Sequence, residues 1–212
     1  FAKKNSKIIF TEGVLKNINI NYINEDIIIA NRSSSLNGCI NFYDIKVSKL
    51  KIKTRNSLCE DAINFVRTEG DIDEIISYNS ISDAIDFDFS NLKVKKILVK
   101  KSLNDCLDFS YGTYKINNAS INYCGDKAIS VGEKSILKIQ DSTLSNSNIA
   151  IVSKDFSIVN ILNTKMINNK YCYKSYNKKQ EFSGASLTAI GSSCEKSDNI
   201  FYKDDMSELK IN

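Results

Sequence analysis

Apolar and polar residues alternate along most of this chain in short runs, the pattern of strands whose successive side chains point to opposite faces. No segment keeps a helical apolar period. The alternation also recurs in register. Ile40-Asn41-Phe42, Ile63-Asn64-Phe65, Ile85-Asp86-Phe87, Leu107-Asp108-Phe109 and Ile129-Ser130-Val131 each follow a small residue: Cys39, Ala62, Ala84, Cys106 and Ala128. That small-residue column continues through Ala150, Cys172 and Cys194, with one step of 23 residues and then steps of 22. Ile18-Asn19-Ile20 fits as an earlier member. A second column holds Leu50, Ile72, Val94, Ile116, Ile139 and Ile161. A third holds Val99, Ile121, Leu144 and Met166, and a fourth Cys59, Ile81, Leu103 and Cys124.

Three short strands per 22 residues cannot bury an apolar face alone, but stacked copies can. The pattern therefore predicts an all-β fold: a right-handed parallel β-helix of about eight turns, stacked at about 4.8 Å per turn. A leucine-rich repeat tolerates this period but needs a fixed Asn and a helical half, and neither is present. The absence of Pro agrees, because central strands need every N–H. One domain is expected over 1–212, with coil turns over 14–198 and caps at 1–13 and 199–212 to block the exposed strand edges.

Composition narrows the chemistry. With no His, there is no Ser-His-Asp triad, no Cys-His pair and no imidazole ligand. A net charge of +4 is no nucleic-acid signature, and KVKKILVKK (93–101) reads as the solvated face of strands. No apolar run reaches membrane-spanning length. No secretory signal is visible. The chain starts at Phe1 rather than Met, which leaves room for a removed leader or a preceding domain. The six cysteines occupy columns otherwise filled by Ala, Ile and Leu, so they read as small buried hydrophobes. Cys172 and Cys194 fall in adjacent predicted turns and form the one pair that could approach bonding distance; the sequence leaves open whether they bond. No CxxC points to a metal.

The segments SDAIDFDFS, NDCLDFSYG, CGDKAISVGEKS, IVSKDFS and YNKKQEFSGAS resemble, in the same order, the right-handed β-helix regions of bacterial secreted or surface proteins. In many of these the β-helix accompanies a CotH-kinase-like domain. The likeness covers roughly 55–195. It implies a parallel β-helix and an extracytoplasmic setting, and brings no established activity. No kinase motif occurs in this chain. A more distant likeness is to pectin-acting enzymes of the same architecture. Their histidine has no counterpart, and neither do their paired Arg and Lys: the arginines are Arg32, Arg55 and Arg67.

The candidate chemistry lies on one outward face. Its middle column reads Asn19, Asn41, Asn64, Asp86, Asp108, Ser130, Val152, Lys174. The next reads Val66, Asp88, Ser110, Gly132, Lys154, Tyr176. Stacked carboxylates about 5 Å apart repel by roughly 3 kcal/mol at an effective dielectric of 20. A Ca²⁺ ion held by Asp86, Asp88 and Asp108, a shared proton, nearby lysines or plain solvation would relieve this. Asp83, Asp105, Glu133 and Asp155 read as turn residues. Tyr171, Tyr173 and Tyr176 are candidates for stacking on sugar rings, with packing the alternative. Two functions follow. One is a non-catalytic module that binds a polysaccharide or a cell-surface partner through Asp86, Asp88, Asp108, Ser110, Ser130, Lys154 and Tyr176, or serves as a rigid spacer. The other is a Ca²⁺-dependent polysaccharide lyase with Lys154 or Lys174 as base.

Overall fold

A computed structural model of the chain describes residues 7–24 and 36–212. All regular structure among them is strand, paired in parallel from one lap of the coil to the next. The result is a β-solenoid of about eight turns with a spacing near 22 residues, consistent with a parallel β-helix. No helix among the described residues is long and apolar enough to cross a membrane. Residues 1–6 of the expected N-terminal cap lie outside the described residues. Both terminal segments assigned to caps carry strands that pair with the coil: Ile8–Thr11 at one end, and Asn199–Lys203 and Glu208–Ile211 at the other.

Each lap crosses three walls, here called A, B and C in chain order. The strand Asp83–Ser102 covers all three in 20 residues. Wall A stacks Ile8, Ile40, Ile63, Ile85, Leu107, Ile129, Ile151 and Tyr173. Wall B carries the predicted column from Leu50 to Ile161. Wall C carries Val99, Ile121, Leu144 and Met166. Alternation decides which side chains enter the core. Phe10, Phe42, Phe65, Phe87 and Phe109 all point inward and stack ring on ring, with centroids 4.7–5.2 Å apart and planes within 15° of parallel. Each such contact contributes about 0.5–1.5 kcal/mol beyond the area it buries.

Sharp corners join the walls. Arg67, Phe89, Tyr111, Glu133 and Asp155 turn consecutive laps from A to B with positive φ, and Asn56, Asn79, Asn146 and Asn168 do so after wall C. Asparagine adopts this conformation more readily than most residues with a Cβ, which accounts for its use at the second corner.

The first and last laps depart from the predicted register. Ile40 pairs with Ile8, so Asn41 stacks on Ile9, while Asn19 pairs with Lys51 on wall C. At the other end Tyr171 pairs with Asn199 and Cys194 with Met166. The final lap holds a polar insertion around 177–185 that moves Cys194 out of the small-residue column. The fourth predicted column also dissolves. Ile81 and Leu103 are exposed, and Cys124 pairs with Ser102.

The cysteines are the main correction. All six are bonded, as Cys39–Cys59, Cys106–Cys124 and Cys172–Cys194. The Cα atoms lie 5.4, 5.6 and 6.0 Å apart across the corner between the end of wall C and the start of wall A. Partners come from different columns, so a search for cysteines one period apart finds only the third pair. Each bond closes most of one lap. A loop of this length, held shut in the unfolded chain, stabilises the fold by about 3 kcal/mol. We expect an unreduced peptide map to return these three pairs. We expect Cys106→Ser with Cys124→Ser to lower unfolding free energy by about 3 kcal/mol in denaturant titrations. Free thiols at these positions in the native protein would contradict the assignment.

Candidate functional site

The outward face of wall A is recessed rather than solvated. Asn41, Asn64, Ser130, Val152 and Lys154 are buried there, and Asp86, Asp88, Asp108 and Ser110 are half-buried between them. The lap register places Asn64, Asp86, Asp108 and Ser130 directly above one another, with Val66, Asp88 and Ser110 in the adjoining column. The predicted site residues are therefore brought together on one wall. Tyr176 and Lys174 face the same way two laps beyond Ser110's neighbour Gly132 and Asp108's neighbour Ser130, with Lys154 paired to Tyr176 and Val152 to Lys174.

The carboxyl groups are relieved by different means. Asp83 Oδ1 accepts hydrogen bonds from the Asp105 N–H at 2.8 Å and the Asn104 amide at 2.7 Å. Asp105 Oδ1 accepts from the Lys127 N–H at 3.0 Å, with Lys127 Nζ at 3.3 Å. Both aspartates thus fix the corner entering wall A, as turn residues do. Asn64 Nδ2 donates to Asp61 and, at 3.1 Å, to Asp86. Asp108 accepts from the neighbouring Phe109 N–H.

Burial raises most of these carboxyls. Asp61 is pushed up to about 7 by burial, against the Asn64 hydrogen bond. Asp105 is pushed up to about 6 by burial, although Lys127 pulls the other way. Burial opposes the charge on Lys127, but Asp105 and Asp126 outweigh it and keep the ammonium charged. Asp86 rises well above the usual carboxylate range through burial and then through Asp88. Asp88 is raised by burial and restrained by a hydrogen bond with the Asp86 carboxyl. In such contact the charge on Asp88 makes it harder for Asp86 to lose its proton. For a metal the fit is poor: no three Asp, Glu or Cys side chains among the described residues are arranged to hold an ion.

Farther along the wall the charge changes sign. Glu133 would be raised by burial, but Lys179 at 2.5 Å and Ser110 Oγ at 2.6 Å more than offset it and hold its carboxyl low. Asp126 is likewise held low against burial by Lys127 and Asn148. Lys174 lies 3.9 Å above the Tyr171 ring, and burial lowers its pKa, helped by Lys170. Tyr173 belongs to the core and faces no ligand, whereas Tyr171 and Tyr176 stay half-buried at the rim.

Lys179 and the corner aromatics escaped the sequence reading. Asp155 Oδ1 accepts the Lys178 and Lys179 N–H groups at 2.6 and 2.8 Å, fastening the 177–185 insertion to the A–B corner. Phe182 then reaches Tyr111 and Phe156, and Phe89 stacks on Tyr111 at 4.7 Å. The available signal was the polar interruption of the period after Tyr176.

No known protein family matches the chain, and no curated protein does either.

The raised carboxyls fix the sign of the pH dependence. An aspartate with a folded-state pKa above its unfolded value stabilises the fold below the unfolded pKa and loses that contribution as pH rises through the folded one. Asp61 and Asp105 place that loss between the ordinary carboxylate range and about 7. Glu133 and Asp126, held low, lose theirs only below the ordinary range. We expect the melting temperature to be higher near pH 5 than near pH 8, both values approximate (about), with Asp61→Asn flattening the slope. A melting temperature that climbs across that interval would contradict the burial argument.

Proposed function

We propose that this chain is an extracytoplasmic β-helix module that binds a glycan along wall A. The observation that supports it best is the row Asp86, Asp88 and Asp108 in consecutive laps of one recessed face, with Asp86 and Asp88 both raised by burial. A carboxyl that keeps its proton donates a hydrogen bond and its ionised neighbour accepts one. A sugar hydroxyl needs both, and a recessed polar groove presents them at fixed spacing. Ser110 and Tyr176 add hydroxyls to the same wall. The three disulfides support this setting, because such bonds persist in oxidising compartments. The resemblance to secreted β-helix regions supports it as well.

Lyase chemistry is the second reading, favoured by one observation: burial lowers Lys174 towards the range of a general base. No step through Ca²⁺ is assigned, because the carboxylates are not arranged to hold it.

A glycan array followed by calorimetry tests the module reading. We expect binding without turnover, with Asp86→Asn and Asp108→Asn each weakening it about tenfold, the effect of losing one charge-assisted hydrogen bond. Unsaturated uronic products seen by absorbance would move the assignment to a lyase. Binding unchanged in both variants would remove wall A as the site.

A further inference from the structure

Resting on the glycan reading, we propose that the far half of wall A is an anion subsite built on Lys154 and Lys174, so that the ligand is an acidic glycan. Its carboxylate or sulfate pairs with these ammonium groups while a less charged stretch lies against Asp86, Asp88 and Asp108.

Lys154 carries the argument. It is 5 % exposed, yet its Nζ has no hydrogen-bonding or ion-pair partner among the described residues. Most of the side chain is packed away, but Nζ is not among the fully buried polar atoms, so the ammonium reaches solvent at the surface of the wall, where a ligand anion can replace water. The nearest carboxylates are already engaged. Glu133 is paired with Lys179 and Asp126 with Lys127.

The fold also makes room for this side chain. Lys154 lies back over the preceding lap at Gly132, where an added Cβ would meet Cε at 2.8 Å and Cγ at 3.3 Å. Two residues away on the same face, Ser130 Oγ is wholly buried and also has no partner. On the lap beyond, Lys174 pairs in register with Val152 and has no ion-pair partner among the described residues, only the faces of Tyr171 and Tyr202. Its pKa is lowered first by burial and then by Lys170 and Lys127, both of which a bound anion would offset. Lys154 lies two laps beyond Asp108 and Lys174 three, about 10 and 14 Å at the usual strand spacing. That separation lets one extended oligosaccharide touch both halves while its anion stays clear of the acid row.

The test uses uronic-acid oligomers, sulfated oligosaccharides and carboxyl-reduced neutral counterparts, titrated by calorimetry against the intact chain and against Lys154→Met, Lys174→Met and Gly132→Ala. We expect the wild-type chain to prefer a charged oligomer over its neutral counterpart. Lys154→Met should weaken that binding at least tenfold and leave neutral oligomers unaffected. The uronic and sulfated arms tell carboxylate from sulfate. In the absence of ligand, Lys154→Met should melt close to wild type, because no hydrogen bond or ion pair of Nζ is lost and the packed stem is replaced by one of similar length; a merely structural lysine would melt lower. Equal binding of charged and neutral oligomers, or full binding by Lys154→Met, overturns the anion subsite and leaves the glycan reading standing. Binding of none of them by the wild-type chain overturns both.

Discussion

Everything in this molecule depends on the parallel backbone ladder between laps. Because each N–H and C=O of a lap bonds the laps beside it, residue n sits on residue n plus one period, at the spacing of neighbouring strands. The side chains have no freedom to choose other neighbours. Like stacks on like wherever the period repeats a residue type. For phenylalanine this is favourable, and five rings form one continuous stack through the core. For aspartate it is unfavourable, and the wall must dispose of the repulsion lap by lap.

The ways in which it does so explain the site. Asp83 and Asp105 turn their charge on backbone N–H groups of the next lap, which makes them structural. Asp61 is met by an amide and Asp126 by a lysine. Asp86 also takes the Asn64 amide, but among the described residues no ion pair reaches Asp86, Asp88 or Asp108, and burial there raises Asp86 and Asp88 towards the protonated form. The same logic isolates Lys154 and Lys174 at the other end: once Lys127 and Lys179 have taken the available carboxylates, two ammonium groups remain. Function is read from what the ladder leaves unpaired, not from which residues are charged.

Most of the fold was legible because the period is nearly constant between Cys39 and Tyr176. There a column in the sequence is a column in space, as Leu50 to Ile161 shows. The reading failed where the period changes. Asn19 was placed on wall A, and Cys194 beside Cys172 in the wrong column, because insertions lengthen the first and last laps. Two of the three disulfides were missed for a different reason. Cys39 and Cys59, or Cys106 and Cys124, meet at a corner between two walls, and the angle of that corner is set by backbone geometry that spacing does not encode. The acid row was legible as a row, but its protonation was not. Whether Asp86 faces water or a recess depends on how the side chains of its own and adjacent laps, Asn64, Asp88 and Asp108 among them, fill the space around it.

The corners decide which wall can hold a ligand. The A–B corner is reinforced from outside by an inserted segment: Asp155 clamps the insertion, Lys179 reaches Glu133, and Phe182 packs on Tyr111 and Phe156. This bracket joins three consecutive laps by side chains as well as by backbone. It stands beside wall A at the point where the acid half meets the basic half. A groove whose edge is held this way keeps its spacing when a ligand exchanges for water, so less of the binding energy goes into ordering the protein. The same insertion that spoiled the sequence register is therefore the element that gives the recessed wall a rigid margin.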